Sequence, residues 1–129
     1  MFAATPPSPA FQANKTTDAR TAKIRALNDA FRQRLPRPVN GCRLIVTDGV
    51  GSLPPSQFAD LLLAVRSFEE FSSDNDPHGE HDFGSVERNG TRYFWKIEAY
   101  DEWMQFGSSD PTNPAVTTRV LTVMRADEY

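Results

Sequence analysis

Asn89-Gly90 stands between two strand-like runs, Phe83 to Arg88 and Thr91 to Tyr100. A type I′ turn needs positive φ at both central residues, and Asn-Gly meets that demand with little strain. The two runs are therefore expected to fold back on each other as an antiparallel hairpin. Alternation then sorts the longer run. Tyr93, Trp95, Ile97 and Ala99 fall on one face, and Phe94, Lys96, Glu98 and Tyr100 on the other. The first set reads as core. The second is mixed, and its Lys96-Glu98 alternation predicts a face that meets solvent or the opening of a groove.

The rest of the chain is organised around this hairpin. Residues 1–15, with Thr5-Pro6-Pro7-Ser8-Pro9 at their centre, read as a disordered Pro-rich arm, and residues 16–129 as one α+β domain. Thr16, Thr17 and Asp18 are candidate N-caps for a first helix, in which Ile24, Leu27, Phe31 and Leu35 recur at helical spacing until Pro36 and Pro38 end the pattern. Lys23 and Arg34 border that stripe on one side and Arg25 and Arg32 on the other, which reads as stems snorkelling beside a buried face, with a nucleic-acid- or partner-binding helix as the alternative. Arg43 to Thr47 is β-branched and predicts an inner strand. Pro54-Pro55 opens a second helix with Phe58, Leu61, Leu62, Val65 and Phe68 on one face. Trp103 to Phe106 suggests a further short strand, and Thr117 to Met124 closes the sheet. The expected fold is a small antiparallel sheet of four to five strands with two helices packed on one face.

Composition and charge narrow the function classes. With 39% hydrophobic residues and nine Phe in 129 residues, the chain has the makings of a packed core. The single cysteine, Cys42, forms no internal disulfide and points to a reducing compartment. No run approaches membrane-spanning length, so the expected location is the cytoplasm. Up to Arg43 there are eight Lys or Arg against two Asp, and beyond it six against fifteen carboxylates. A body this acidic disfavours nucleic acid and favours cations or basic protein surfaces. Asp48-Gly49-Val50-Gly51-Ser52, between a strand and a helix, is a possible anion turn, but it lacks the Lys and Ser/Thr of a P-loop.

Both histidines and the densest carboxylates fall in the loop Ser72 to Phe83. Asp74, Asp76, His78, Glu80, His81 and Asp82 offer donors to a divalent ion, and His-x-x-His followed by Asp converges on a metal if the backbone turns at Pro77 and Gly79. The helical His-Glu-x-x-His arrangement is absent. An EF-hand count from Asp74 places Ser85 where the bidentate Glu belongs. His81-Asp82 is also raw material for a general base, with Glu98, Tyr100 or Asp101 approaching from the hairpin, although neighbours on an extended chain point opposite ways. A structural reading, with Asp side chains capping turn amides, competes with both.

Asn75-Asp76-Pro77-His78-Gly79-Glu80-His81-Asp82-Phe83-Gly84, Phe94-Trp95-Lys96-Ile97, and Asp110-Pro111 with Asn113-Pro114 and Thr118 to Met124 occur in that order. Together they resemble the alphaproteobacterial family known as domain of unknown function 3768, over about residues 23–129. Glu98-Ala99-Tyr100-Asp101 departs from the Asp-Tyr-Tyr-Asp of that pattern. The resemblance implies a stand-alone protein associated with bacterial chromosomes and mobile elements, an accessory protein that binds something. It implies no established activity.

The expectation is thus a non-enzymatic acidic module that binds a protein, with no cofactor and no membrane contact. It would dock through Asp74, Asp76, His78, Glu80, His81 and Asp82 together with Lys96, Glu98, Tyr100 and Asp101. Inhibition of a nucleic-acid-binding defence complex of the host is one concrete form, since carboxylates on a rigid scaffold can occupy basic sites meant for phosphate. The competing expectation is a metal-dependent hydrolase or nuclease with His78, His81 and Asp82 as ligands and Glu80 or Asp101 as base. The sequence does not fix an oligomeric state.

Overall fold

The computed structural model describes residues 9–38 and 40–129, with side chains from Asp18 onward. The chain runs α1 (Pro9–Arg32), β1 (Cys42–Val46), a single turn α2 (Asp48–Gly51), α3 (Pro55–Arg66), β2 (Phe83–Arg88), β3 (Thr91–Tyr100) and β4 (Thr118–Arg125). Short 3-10 turns at Pro114–Val116 and Ala126–Glu128 flank β4. The helix α1 begins inside the stretch expected as a disordered arm and carries Thr16, Thr17 and Asp18 within it instead of at its start. Residues 1–8 of that arm lie outside the described residues.

The four strands form one mixed sheet in the order β1-β4-β3-β2. The hairpin is as read from Asn-Gly: β2 and β3 pair antiparallel, and Asn89 and Gly90 hold φ of 52° and 76°. The all-antiparallel sheet is corrected by β1, which runs parallel to β4 with Leu44 opposite Leu121. A parallel pair needs a long crossover, and α2, α3 and the hairpin supply it. The expected inner strand is therefore an edge: Arg43 and Ile45 are exposed while Leu44 and Val46 turn inward. The centre belongs to β4, buried from Thr118 to Met124 except at Thr122. Trp103 to Phe106 is a turn and not a fifth strand. The Asp101 carboxylate accepts from the amides of Trp103 and Gln105, which curls the chain, and Tyr100 and Gly107 make only an isolated bridge.

One face of the sheet carries the core. Phe31 of α1, Leu35 just after it, Val50 of α2, and Leu61, Leu62 and Val65 of α3 join Tyr93, Trp95, Ile97, Leu121 and Val123 in a single cluster. Trp95 is fully buried at its middle, with Phe68 and Phe71 packed edge-on at ring separations of 5.6 and 6.1 Å. Its indole lies against Gly84 on β2, where a Cβ would clash with Nε1 and Cε2 of the ring. Only glycine admits the ring there.

Glu128 fastens the end of the described chain to the start of α2. Its carboxylate accepts from Thr47 Oγ1 at 2.6 Å, Gly49 N at 2.8 Å and Arg125 N at 2.9 Å. The anion at the glycine turn is thus the chain's own carboxylate. The Thr47 hydroxyl first, then the Gly49 and Arg125 amides, hold its acidity below the usual glutamate range.

Two outcomes follow from this packing. Gly84→Ala overfills the slot under Trp95 and lowers stability to urea by about 1–3 kcal/mol. Glu128→Gln lowers the melting temperature at neutral pH. Because the folded carboxylate is the stronger acid, its stabilisation is present above the unfolded value and fades as pH falls through the folded one. The gap in melting temperature between wild type and variant should therefore shrink in acid below about pH 4. A gap that stays constant with pH would show that the charge is immaterial.

Candidate functional site

Arg32, the last residue of α1, is 1% exposed. It does not snorkel as expected: its Nη1 donates to the carbonyls of Val65 and Arg66 at 3.0 and 2.9 Å in the last turn of α3, where Val65 also accepts from the Phe68 amide. The guanidinium lies 5.5 and 5.2 Å from the ring centres of Phe71 and Trp95. Its counter-ion is Asp29 one turn back, at 3.2 Å. Asp29 in turn reaches His81 Nδ1 at 2.9 Å, and Asp76 faces His81 Nε2 at 3.6 Å. The imidazole is clamped between two carboxylates and stacked on Phe71 at 3.7 Å and 3°.

These contacts hold His81 in a left-handed conformation, φ 53°, which side chains other than glycine rarely adopt. The amide of His81 donates to Asp76 Oδ1 at 3.1 Å, so Asp76 fixes both backbone and ring. Upstream, Ser72 and Asn75 cap each other's amides and Asn75 Nδ2 reaches the Glu70 carbonyl. From α1, Arg25 donates to the Gly79 carbonyl and Asn28 to the Glu80 carbonyl, both at 2.9 Å. The loop is thereby tied down along most of its length.

The ten residues singled out in the sequence are divided among different tasks. Asp76 and His81 belong to this clamp, and Asp101 caps the turn after β3. Asp74 and His78 are exposed. Lys96 and Glu98 pair with each other at 3.3 Å on the open side of β3, and desolvation and then the Glu98 carboxylate push the Tyr100 phenol up. Among the described residues, no three His, Cys, Asp or Glu side chains are grouped as a metal ion would need, and both nitrogens of His81 face carboxylates. Burial likewise pushes the Cys42 thiol up, away from nucleophilic use.

Glu80 and Asp82 point elsewhere. They line a cavity of about 250 Å³ with Arg20, Asn28, Arg119 and the apolar surfaces of Ile24, Ile97, Ala99 and Pro111. Burial first, then the Asp82 charge, pushes the Glu80 carboxyl up, and burial followed by Asp76 does the same to Asp82. Arg119, on the core face of β4 beside Leu121, is 3% exposed and donates from Nε to Asn28 Oδ1 at 2.8 Å. Sequence reading passed over Asn28, Asp29 and Arg119. The available signal for Arg119 was strand alternation, which sets it in register with Leu121 and Val123.

The opposite face of the sheet has a different character. Phe83, Phe94 and Tyr129 cluster there with ring separations of 5.3, 5.4 and 6.2 Å, and Ile45 is 45% exposed. The helices contribute their buried residues to the other side.

Removing Arg32 should uncover the clamp's importance. Arg32→Met takes one donor from Asp29 and from the Val65 carbonyl, leaves the Arg66 carbonyl without its Arg32 donor, and costs about 3–5 kcal/mol in urea unfolding. His81→Asn, which tolerates the left-handed backbone, costs about 1–2 kcal/mol. His78→Ala stays within about 0.5 kcal/mol. Equal costs at the two histidines would contradict a structural role confined to His81.

No curated protein and no solved structure matches the chain. A family profile described as "Protein of unknown function (DUF3768)" matches residues 46–128, beginning later than the residue 23 expected. All three sequence motifs, the hairpin, and the cavity residues Glu80, Asp82 and Arg119 lie within the matched span, which covers more than half of the sequence, and the chain belongs to the DUF3768 family.

Proposed function

We propose that this protein is a non-enzymatic accessory module that binds another protein through the open face of its sheet. The observation that carries the reading is the aromatic cluster of Phe83, Phe94 and Tyr129, which shares with exposed Ile45 the sheet face away from the helices. Aromatic anchors on a rigid sheet are the side chains that dominate protein interfaces. Over the whole molecule, exposed Glu69, Glu70, Asp74 and Glu102 and a formal net charge of −3 favour a basic partner. The partner of matching chemistry is a protein with an apolar patch rimmed by Lys or Arg. Among the described residues no helix is long and apolar enough to cross a membrane, and the proposed setting is the bacterial cytoplasm.

The origin suggested by the resemblance, alphaproteobacterial chromosomes and mobile elements, completes the reading. In its concrete form the module inhibits a host defence complex by covering a basic site built for nucleic acid. The docking surface is shifted from the one expected in the sequence: Asp76 and His81 are engaged in the clamp, so the open face takes over the anchoring role.

Affinity capture from host lysate, comparing wild type with Ile45→Glu/Tyr129→Glu, tests this. Wild type should retain one stoichiometric partner at low salt. The variant, unchanged in circular dichroism, should lose at least about tenfold in affinity for it. Failure to recover any partner, or retention of the same partner by the variant, would overturn the proposal, as would self-association of the wild type through these residues in sedimentation.

A further inference from the structure

The cavity beside Asn28 carries charges that its own walls leave unpaired. Arg119 is almost wholly buried, yet its donors meet neutral acceptors, the Asn28 side chain and the Pro111 carbonyl. Among the described residues no carboxylate lies within ion-pair distance of its guanidinium, and no basic side chain pairs with Glu80 or Asp82. Arg20, the other cation of the cavity, is occupied by Asp110 at 3.3 Å. Buried ions without partners are costly and are ordinarily compensated by an opposite charge. Glu80 and Arg119 attract each other across the space without touching.

From this arrangement we infer that the cavity is a binding site for a small zwitterion, an aliphatic α-amino acid. Its carboxylate is received by Arg119 and its ammonium by Glu80 and Asp82. A simple anion of the same size would meet two carboxylates, and a simple cation would meet two guanidinium groups. Only a molecule bearing both charges answers both. An ammonium beside Glu80 and Asp82 also relieves the repulsion that now adds to burial in holding the carboxyls up. Ile24, Ile97, Ala99 and Pro111 supply an apolar surface for an alkyl side chain, and about 250 Å³ suits a ligand smaller than the drug-sized occupants of ordinary pockets. This site is independent of the open sheet face and stands or falls separately from the protein-binding reading.

The test is a chemical-shift titration of the full chain with three related probes: L-leucine, isoamylamine, which lacks the carboxylate, and 4-methylpentanoate, which lacks the ammonium. L-Leucine should give saturable shifts centred on Asn28, Glu80, Asp82, Ala99 and Arg119, and each half-ligand should bind at least about tenfold more weakly. Ala99→Leu, which fills the cavity without touching a charge, should abolish the shifts. Glu80→Gln should weaken leucine about tenfold with little change in melting temperature, and it keeps the test decisive if the larger side chain at position 99 disturbs folding. No saturable shift up to about 10 mM leucine, equal binding of either half-ligand, or undiminished binding by Glu80→Gln would overturn the assignment.

Discussion

The buried guanidinium of Arg32 is the joint on which the architecture turns. It ends α1, binds two carbonyls of the last turn of α3, rests on Phe71 and Trp95, and through Asp29 holds His81 of the long loop. Two helices, the loop and β3 meet at one side chain. Such a group is energetically asymmetric. An apolar replacement of the whole network could match its stability, but loss of a single member leaves desolvated charge behind. The network therefore specifies one arrangement of helices and loop more than it adds net stability. Arg32 Nε and Trp95 Nε1, both buried without acceptors, mark how far apolar packing was favoured over complete hydrogen bonding at this point.

Fixing the loop from one side has consequences on the other. His81 turns back to Asp29 and Asp76, and its left-handed backbone sends the chain into β2, where the Asp82 carbonyl accepts from Ile97 N at 2.8 Å. Neighbouring residues then face different environments: His81 enters the clamp while Glu80 and Asp82 look into the cavity. Asn28 couples the two regions, donating to the Glu80 carbonyl and accepting from Arg119. The loop's unusual composition thus serves two adjoining polar sites, one closed by its own charges and one open.

Several elements were legible in the sequence for local reasons. Asn89-Gly90 dictated the hairpin, alternation placed Tyr93, Trp95 and Ile97 inward, and the stripe Leu61, Leu62, Val65 found the core. What was missed depended on contacts distant in sequence. Whether β1 pairs parallel or antiparallel is decided by the crossover, not by its five residues. Trp103 to Phe106 has strand-like composition, but Asp101 captures its amides first. His81 and Asp29 are 52 residues apart, so the contact that engages the imidazole could not be read from the loop. Arg32 was misread because a helical wheel gives its angle but not the fate of its head group. At Arg119 the alternation of β4 already placed a charge on the core face, and that conflict between pattern and residue type marked a polar site.

The lopsided charge along the chain acquires a physical meaning in the fold. The basic helix α1 lies against the acidic loop, but its arginines do not simply cancel the carboxylates. Arg25 is spent on the Gly79 carbonyl, and Arg32 shares Asp29, a residue of its own helix, with two carbonyls of α3. Among the described residues of α1 only Arg20 reaches a distant carboxylate, Asp110, in an exposed pair of small energetic weight. Guanidinium groups bound to carbonyls organise backbone while leaving Glu69, Glu70 and Asp74 unopposed at the surface. The same basic residues that hold the loop in shape therefore leave carboxylates exposed that would steer the basic partner proposed above, an attraction that weakens as salt shortens its range.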